Sequence, residues 1–295
     1  MPKLIYTSNI PFDMSDWDKK CIKEVFAGTG CIMAITEDGE TMQKIANESC
    51  MARTKYWTRI SQIALSKWAT GVAIGLVQDG TCMISKKPVR EACENFCLNF
   101  DKINDTVKSW NNVVQVAASD AFFALHSDGT VSYVGFGQGA QKGYEEVTNW
   151  QNIKKIVTGT QCSVFGITES GEVLVAGANG NNYKNKLDEY KNVVDLYPTG
   201  SECEDVYLLT ADGVVSNLNG FHSCKLFESG NVHKDKILDG NFEYKVFGLN
   251  EERMLVEVSS QEAVPVFDVN CKVKSFAVGD LDYSEPFVIA VACEN

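Results

Sequence analysis

The chain has little of what chemistry or targeting usually draws on. It has only 3 His and 6 Pro in 295 residues. Its 27 Lys and Arg fall below its 39 Asp and Glu, leaving a formal net charge of −12. An acidic chain gains no counterion-release energy on a phosphate backbone, so direct nucleic-acid binding is not expected. An anionic membrane repels it for the same reason, and the net charge serves solubility. No stretch approaches the ~20 apolar residues that span a bilayer. The opening Met1-Pro2-Lys3-Leu4-Ile5-Tyr6-Thr7 has no sustained apolar segment after its Lys, so no signal peptide is expected. The 11 cysteines are odd in number and contain no C-x-x-C pair. They read as reduced thiols in a cytosol or nucleus, and Cys31 and Cys293, set in apolar runs, read as small core hydrophobes.

Catalytic and cofactor signatures are equally thin. There is no P-loop and no H-E-x-x-H. Cys82, Cys93 and Cys97 lack the spacing and the His that a zinc site wants. Gly135-Phe136-Gly137-Gln138-Gly139-Ala140 follows a strand, but no helix signal opens after it. His126 sits beside the Ser127-Asp128-Gly129 turn and reads as structural, because nothing in its spacing supplies a nucleophile. No cofactor, no metal and no enzymatic activity are expected.

What the chain does have is a repeat. An aromatic precedes a β-rich strand, a short loop, a second apolar strand, a Ser/Asp-Gly turn and a third strand. The copies at Trp110, Trp150 and Tyr190 are the clearest. The turn glycines Gly39, Gly80, Gly129, Gly171 and Gly213 fall at intervals of 41, 49, 42 and 42, and a degenerate sixth turn lies at Asn250-Glu251-Glu252. Asp-Gly between alternating runs is a hairpin signal, because the turn needs positive φ. Units of roughly 40–50 residues built from strands cannot bury both faces alone, so they stack radially. The expectation is an all-β, seven-bladed β-propeller over 1–295. Its first strands begin near Ile22, Ile60, Val113, Ile153, Val193, Ile237 and Val273. Trp57 and Phe267 take the place of Trp110, and Trp17 is slightly out of register; these aromatics fill the core between blades. The last strand, Val288–Cys293, lacks a successor, so residues 1–8 are expected to complete the last blade and close the ring.

These motifs resemble the regulator of chromosome condensation repeat. Its pattern runs W-x-x-V-x-x-I-A-A-G, then an apolar strand ending T-x-D-G-x-V-Y-x-W-G-x-N. Blade three carries it through Trp110, Val113, Val116, Ala117, Ala118, Asp128, Gly129, Val131 and Gly135. Blade four carries it through Trp150, Ile153, Ile156, Gly159, Gly171, Val173 and Gly177. Blades one, two and five match in part, six and seven weakly. The resemblance implies the propeller. Members of the family include a nucleotide exchange factor for the nuclear GTPase Ran, ubiquitin-ligase modules, a plant ultraviolet receptor and secreted inhibitors, so it leaves function open. The family's His after the A-A-G loop, its wedge hairpin and its basic tail are missing from this sequence.

The loops after the first strands should gather at one end of the ring. Their carboxylates and aromatics are Trp68, Asp120, Phe122, Glu202, Glu204, Asp205, Phe242, Glu243, Tyr244, Asp280, Asp282 and Tyr283. Two readings stand: a surface for a partner bearing Lys or Arg, or plain solvated loops. A longer connection, residues 81–109, carries Val89, Cys93, Phe96, Cys97 and Phe100 at helical spacing after Pro88. It caps a blade or docks a partner. The function expected is a cytoplasmic or nuclear protein-interaction scaffold, with nucleotide exchange on a small Ran-like GTPase as the alternative.

Overall fold

The computed structural model describes residues 3–46, 54, 56–66, 72–86, 94–136, 143–159, 163–177, 183–199, 205–218, 223–227, 238–240, 245–258, 264–267, 271–281 and 286–293. Strand β1 (Leu4–Tyr6) opens the chain. Blade one is β2 (Ile22–Gly28), β3 (Cys31–Thr36) and β4 (Thr41–Ile45). Blade two is β5 (Ile60–Leu65), β6 (Ala73–Val77) and β7 (Cys82–Ile84), followed by helices α1 (Glu94–Leu98) and α2 (Phe100–Lys108). Blade three is β8 (Val113–Ala118), β9 (Ala121–His126) and β10 (Val131–Gly135), followed by a 3₁₀ turn over Tyr144–Asn149. Blade four is β11 (Ile153–Thr158), β12 (Val164–Thr168) and β13 (Val173–Ala176), followed by α3 (Lys184–Leu187). Blade five is β14 (Val193–Thr199), β15 (Asp205–Thr210), β16 (Val214–Asn217) and β17 (Ser223–Lys225). Blade six is β18 (Leu238–Gly240), β19 (Val246–Leu249), β20 (Leu255–Glu257) and β21 (Val264–Pro265). Blade seven is β22 (Val273–Gly279) and β23 (Phe287–Ala292), completed by β1.

These are seven antiparallel sheets, and their first strands lie side by side in sequence until β22 returns against β2. The chain is a seven-bladed β-propeller. Its seam is the one expected: Leu4 pairs with Val291, Ile5 with Ala290 and Tyr6 with Ile289. Thr7 holds the end of that pairing, its N–H donating to Val288 O and its Oγ1 accepting from Val288 N, both at 3.0 Å. No helix among the described residues is long and apolar enough to cross a membrane.

The middle strands explain the unbroken apolar runs. Alternate residues on a strand face opposite sides of the sheet, and here both sides are buried. On β9, Phe122 and Ala124 enter the core between blades two and three, while Ala121, Phe123 and Leu125 enter the core between three and four. On β3, Ile32 and Ala34 face blade seven, while Cys31, Met33 and Ile35 face blade two. Burial pushes the Cys31 thiol up to about 12, as a core hydrophobe requires. Cys293 departs from expectation: it is half-exposed, just past the end of β23.

The linkers before blades one to five share one device. A tight turn donates the aromatic's N–H to the residue three back: Trp57 to Thr54 at 2.8 Å, Trp110 to Val107 and Trp150 to Val147 at 3.1 Å, Tyr190 to Leu187 at 3.0 Å. The same turn occurs at Trp17, bonded to Met14 O at 2.9 Å, but five residues before its strand instead of three, which is why it looks displaced in sequence. All four tryptophans are buried between blades. From Glu94 onward the longer connection is helical, as the spacing of Phe96, Cys97 and Phe100 predicts; Pro88, Val89 and Cys93 lie outside the described residues. The helices extend further than the sequence signal, because Ile103 and Val107 continue the buried stripe of α2. Phe96 is wholly buried against Phe122 and Phe136. The connection therefore fills the core between blades two and three. The fourth strands β17 and β21 have no counterpart in the sequence reading, because segments of three and two residues show no alternation.

The turn glycines serve two purposes. Gly39, Gly80, Gly129, Gly171 and Gly213 all have φ near +80°, between 79° and 84°. The turn also abuts the next blade: Ile153 N–H donates to Gly129 O at 3.1 Å and Val193 N–H to Gly171 O at 2.9 Å. In the sixth turn Arg253 holds this position at φ 61°, and its guanidinium donates to Val273 O and Lys274 O, each at 2.9 Å. A Cβ on Gly171 would stand 2.7 Å from Asn192 Cα, whereas one on Gly39 would meet nothing within 4 Å. Gly39→Ala is therefore expected to cost only the left-handed penalty, about 1 kcal/mol. Gly171→Ala adds overpacking and should reach ~2–4 kcal/mol. Urea denaturation of both variants checks this; equal losses would refute the abutment.

Candidate interaction surface

Each first strand starts beside an Asp-Gly-type turn and ends at a loop, as the pairing of Val113 with His126 and Ala118 with Phe122 illustrates. Neighbouring first strands run the same way, and Thr29 bridges Asp280 in parallel. The seven first strands therefore end on one side of the disc. A candidate recognition surface is only as well defined as the wall from which those loops rise.

That wall is the ring of first strands, and each has one row of backbone groups that its own sheet cannot pair. In six of them the register slips between the first and third residues, a β-bulge. A bulge re-aims the following side chain, and the third residue reaches the neighbouring strand. Gln62 Oε1 accepts Val116 N–H at 2.9 Å. Gln115 grips Ile156 at two points, accepting its N–H and donating to its O, both at 2.8 Å. Lys155 Nζ meets Asp195 Oδ1 at 2.6 Å, and Asp195 Oδ2 accepts Leu238 N–H at 2.9 Å. Asp239 Oδ2 accepts Val278 N–H at 2.9 Å, and Ser275 Oγ accepts Val25 N–H at 3.4 Å. These side chains stitch six of the seven junctions between neighbouring blades, from blade two round to blade one. Asp195 is 1% exposed, so its carboxylate depends on these donors.

A second, polar collar lies where the loops begin. Ser66 Oγ donates to Ser119 O at 2.5 Å, Thr158 Oγ1 to Ala118 O at 3.0 Å and Tyr197 Oη to Gly240 O at 2.6 Å. Blades seven and one meet so closely that a Cβ on Gly279 would stand 2.9 Å from Gly28 O. Gly30 N–H donates to Asp280 O at 2.7 Å.

Several expected contact residues belong to this collar or to the core. Phe122 is fully buried, its ring centroid 4.7 Å from that of Phe136; it is a packing residue and leaves the candidate surface. Asp120 is buried, with Oδ1 accepting Tyr144 Oη at 2.7 Å and Ser119 Oγ at 3.0 Å. Asp280 is buried at the seam between blades seven and one. Asp120 and Asp280 share a reason: a position just past a first strand is still inside the collar, whereas Phe122 lies on the middle strand β9 and packs into the core. Asp205, at the start of β15, is half-buried; its Oδ1 accepts Val206 N–H at 2.9 Å and its Oδ2 is bonded by Asn217 Nδ2. Trp68, Glu202, Glu204, Phe242, Glu243, Tyr244, Asp282 and Tyr283 lie outside the described residues. His126 is held at both ring nitrogens, Nδ1 donating to Asn111 O at 2.8 Å and Nε2 lying 2.9 Å from Ser132 Oγ. This fits its structural reading. Residues 137–142, most of the glycine-rich stretch, lie outside the described residues.

Sequence reasoning missed the stitching residues. A signal existed: a polar residue recurs at the third position of the first strands, as in I-S-Q-I, V-V-Q-V, I-K-K-I and V-V-D-L. Gln115→Leu keeps the shape but strands Ile156 N–H and C=O, and is expected to cost ~1–3 kcal/mol. Asp195→Ala leaves Lys155 and Leu238 N–H without their partner, an expected loss of about 3–5 kcal/mol. Phe122→Ala should cost ~3–5 kcal/mol as a core truncation. Denaturant midpoints measure all three, and unchanged midpoints for the first two would remove the stitch.

No family model and no curated protein matches the chain. Solved structures do. The crystal structure of Prp20p from Saccharomyces cerevisiae, described with its binding to Gsp1p and histones, superposes with a TM-score of 0.60 at 12% identity, covering 96% of this chain and 84% of that one. Yeast RCC1 (Prp20) bound to Kap60 gives 0.60 at 11% identity, covering 96% and 82%. At such identity the likeness speaks for fold alone, and the fold is that of an RCC1-like β-propeller.

Proposed function

We propose that this chain is a non-catalytic platform for protein binding. Its working surface is the loop end of the disc, and its partner presents Lys or Arg. The observation that carries this reading is the set of side-chain bonds between neighbouring first strands, with the hydroxyl bonds at their ends, which fixes the strand ends that the loops follow. Rigid elements that carry variable loops are how binding surfaces are commonly built. The loop segments hold Glu202, Glu204, Glu243 and Asp282 among Trp68, Phe242, Tyr244 and Tyr283. Carboxylates interleaved with aromatics suit a cationic partner. The reduced-thiol composition supports the cytosol or nucleus as its place of action.

A second reading is nucleotide exchange on a small GTPase. The likeness to Prp20p, whose structure is described with binding to Gsp1p, favours keeping it. Exchange would need no covalent chemistry from this chain, only a surface that displaces nucleotide.

Cross-linking mass spectrometry on the native assembly should place partner cross-links in the loop segments. The variant E202Q/E204Q/E243Q/D282N should weaken the captured partner by at least about tenfold at low salt, with a smaller loss at high salt. Unchanged affinity at low salt would end the electrostatic reading. Release of a fluorescent GDP analogue from purified small GTPases decides the alternative: acceleration over the intrinsic rate supports exchange, and an unaltered rate removes it.

A further inference from the structure

In blades five and six the chain lays a fourth strand on the outer edge of its own sheet. β17 pairs antiparallel with β16 through Cys224 and Val215, and β21 with β20 through Pro265 and Val256. In blade three the outermost strand is β10. Its inward bonds use even-numbered residues. His126 N–H donates to Thr130 O at 2.9 Å and Phe136 N–H to Asp120 O at 3.0 Å, with Ser132 opposite Ala124 and Val134 opposite Phe122. An antiparallel ladder alternates, so Val131, Tyr133 and Gly135 turn their backbone groups outward. Among the described residues these groups have no hydrogen-bond partner. By the turn glycines, Val131 corresponds to Val215, the residue that β17 pairs in blade five.

The strand lies between two walls. Val134 packs with α2 residues Ile103 and Val107 on one face, and Tyr133 packs with Tyr144 and Val147 of the 3₁₀ turn on the other. Residues 132–135 are half-exposed. The Tyr133 ring stacks at 6.4 Å on Phe123. Glu145 stands on the same wall: its Oε2 accepts Gly143 N–H at 2.9 Å. Burial and the Glu145 charge together hold the Tyr133 phenol above its ordinary value. An aromatic ring beside a carboxylate matches a guanidinium, which stacks and pairs at once.

The geometry points to β10 as a docking edge for an extended segment of a partner protein. That segment adds an antiparallel strand through Tyr133 and Gly135, stopping short of the buried Val131, and sets an Arg over Tyr133 beside Glu145. Backbone pairing supplies the attachment and the alternate side chains the selectivity, as in other strand-addition modes. The site is on the rim, so it stands or falls separately from the loop end.

The test uses the full chain and the labelled peptide Thr-Val-Thr-Arg-Thr-Val-Thr, with versions carrying Ala, Glu or Pro in place of Arg. Hydrogen exchange followed by mass spectrometry reads the amides of 133–135. The Arg peptide should slow their exchange by about fivefold or more, and the Pro version should not. Glu145→Gln should weaken the Arg peptide roughly fivefold and leave the Ala peptide unchanged, with circular dichroism confirming the fold. Tyr133→Leu, which keeps the backbone edge, should reduce Arg over Ala selectivity in the same way. Unaltered exchange at millimolar peptide, protection confined to another strand, or equal binding of the Arg and Glu peptides would overturn the proposal.

Discussion

A sheet arranged radially exposes the edge of its first strand to the central axis, and that edge is a row of unpaired N–H and C=O groups. Everything else in this molecule depends on how those groups are satisfied. A longer strand cannot do it, because the next sheet is rotated away. The solution is a bulge at the start of the strand and a polar side chain after it, as in the double contact of Gln115 with Ile156. Where two charged residues occupy successive stitching positions, Lys155 and Asp195, the buried carboxylate also reaches Leu238 N–H and so ties three blades together. The bonds are individually modest, but each spares a buried donor or acceptor from being left alone.

Apolar packing follows the same circle. Seven hydrophobic clusters form, one per pair of neighbouring blades, and each middle strand belongs to two of them. A blade is therefore stable only between neighbours. The seam is where this demand is most acute, because blade seven is assembled from both ends of the chain. Leu4 and Trp17 enter the cluster that joins blades seven and one, and Phe12 meets Phe287 edge-on at 5.7 Å. Linker aromatics pack into five of the interfaces, and α1 and α2 add to the one between blades two and three.

The loop end inherits its order from this frame. At the ends of the first strands, the Ser66 and Thr158 hydroxyls bond to the adjoining blade and the Asp120 carboxylate bonds Tyr144. Asp120 and Asp280 show how a carboxylate that reads as surface in sequence becomes structural when the position is one residue too close to the ring. At the rim, sheets that differ in strand number leave β10 with an outward-facing backbone while β16 and β20 are covered.

The sequence by itself determined the repeat, the blade order, the turn glycines and the pairing of the N-terminal strand with the last blade. Each of these is a local pattern, or a missing one, that recurs at fixed spacing. Alternation and positive-φ turns are written in neighbouring residues, so Gly39 and Gly171 look alike there. Only tertiary structure separated them, because the crowding at Gly171 comes from Asn192 in another blade. It likewise decided that Phe122 is core, that Gln115 and Asp195 stitch the ring, and that β17 and β21 add strands too short to show a period. These outcomes depend on groups outside the local pattern meeting in space, from Val215 with Cys224 to Gln115 with Ile156 at a separation of 41. Residue identity at one position carries no record of which partner the ring will bring to it.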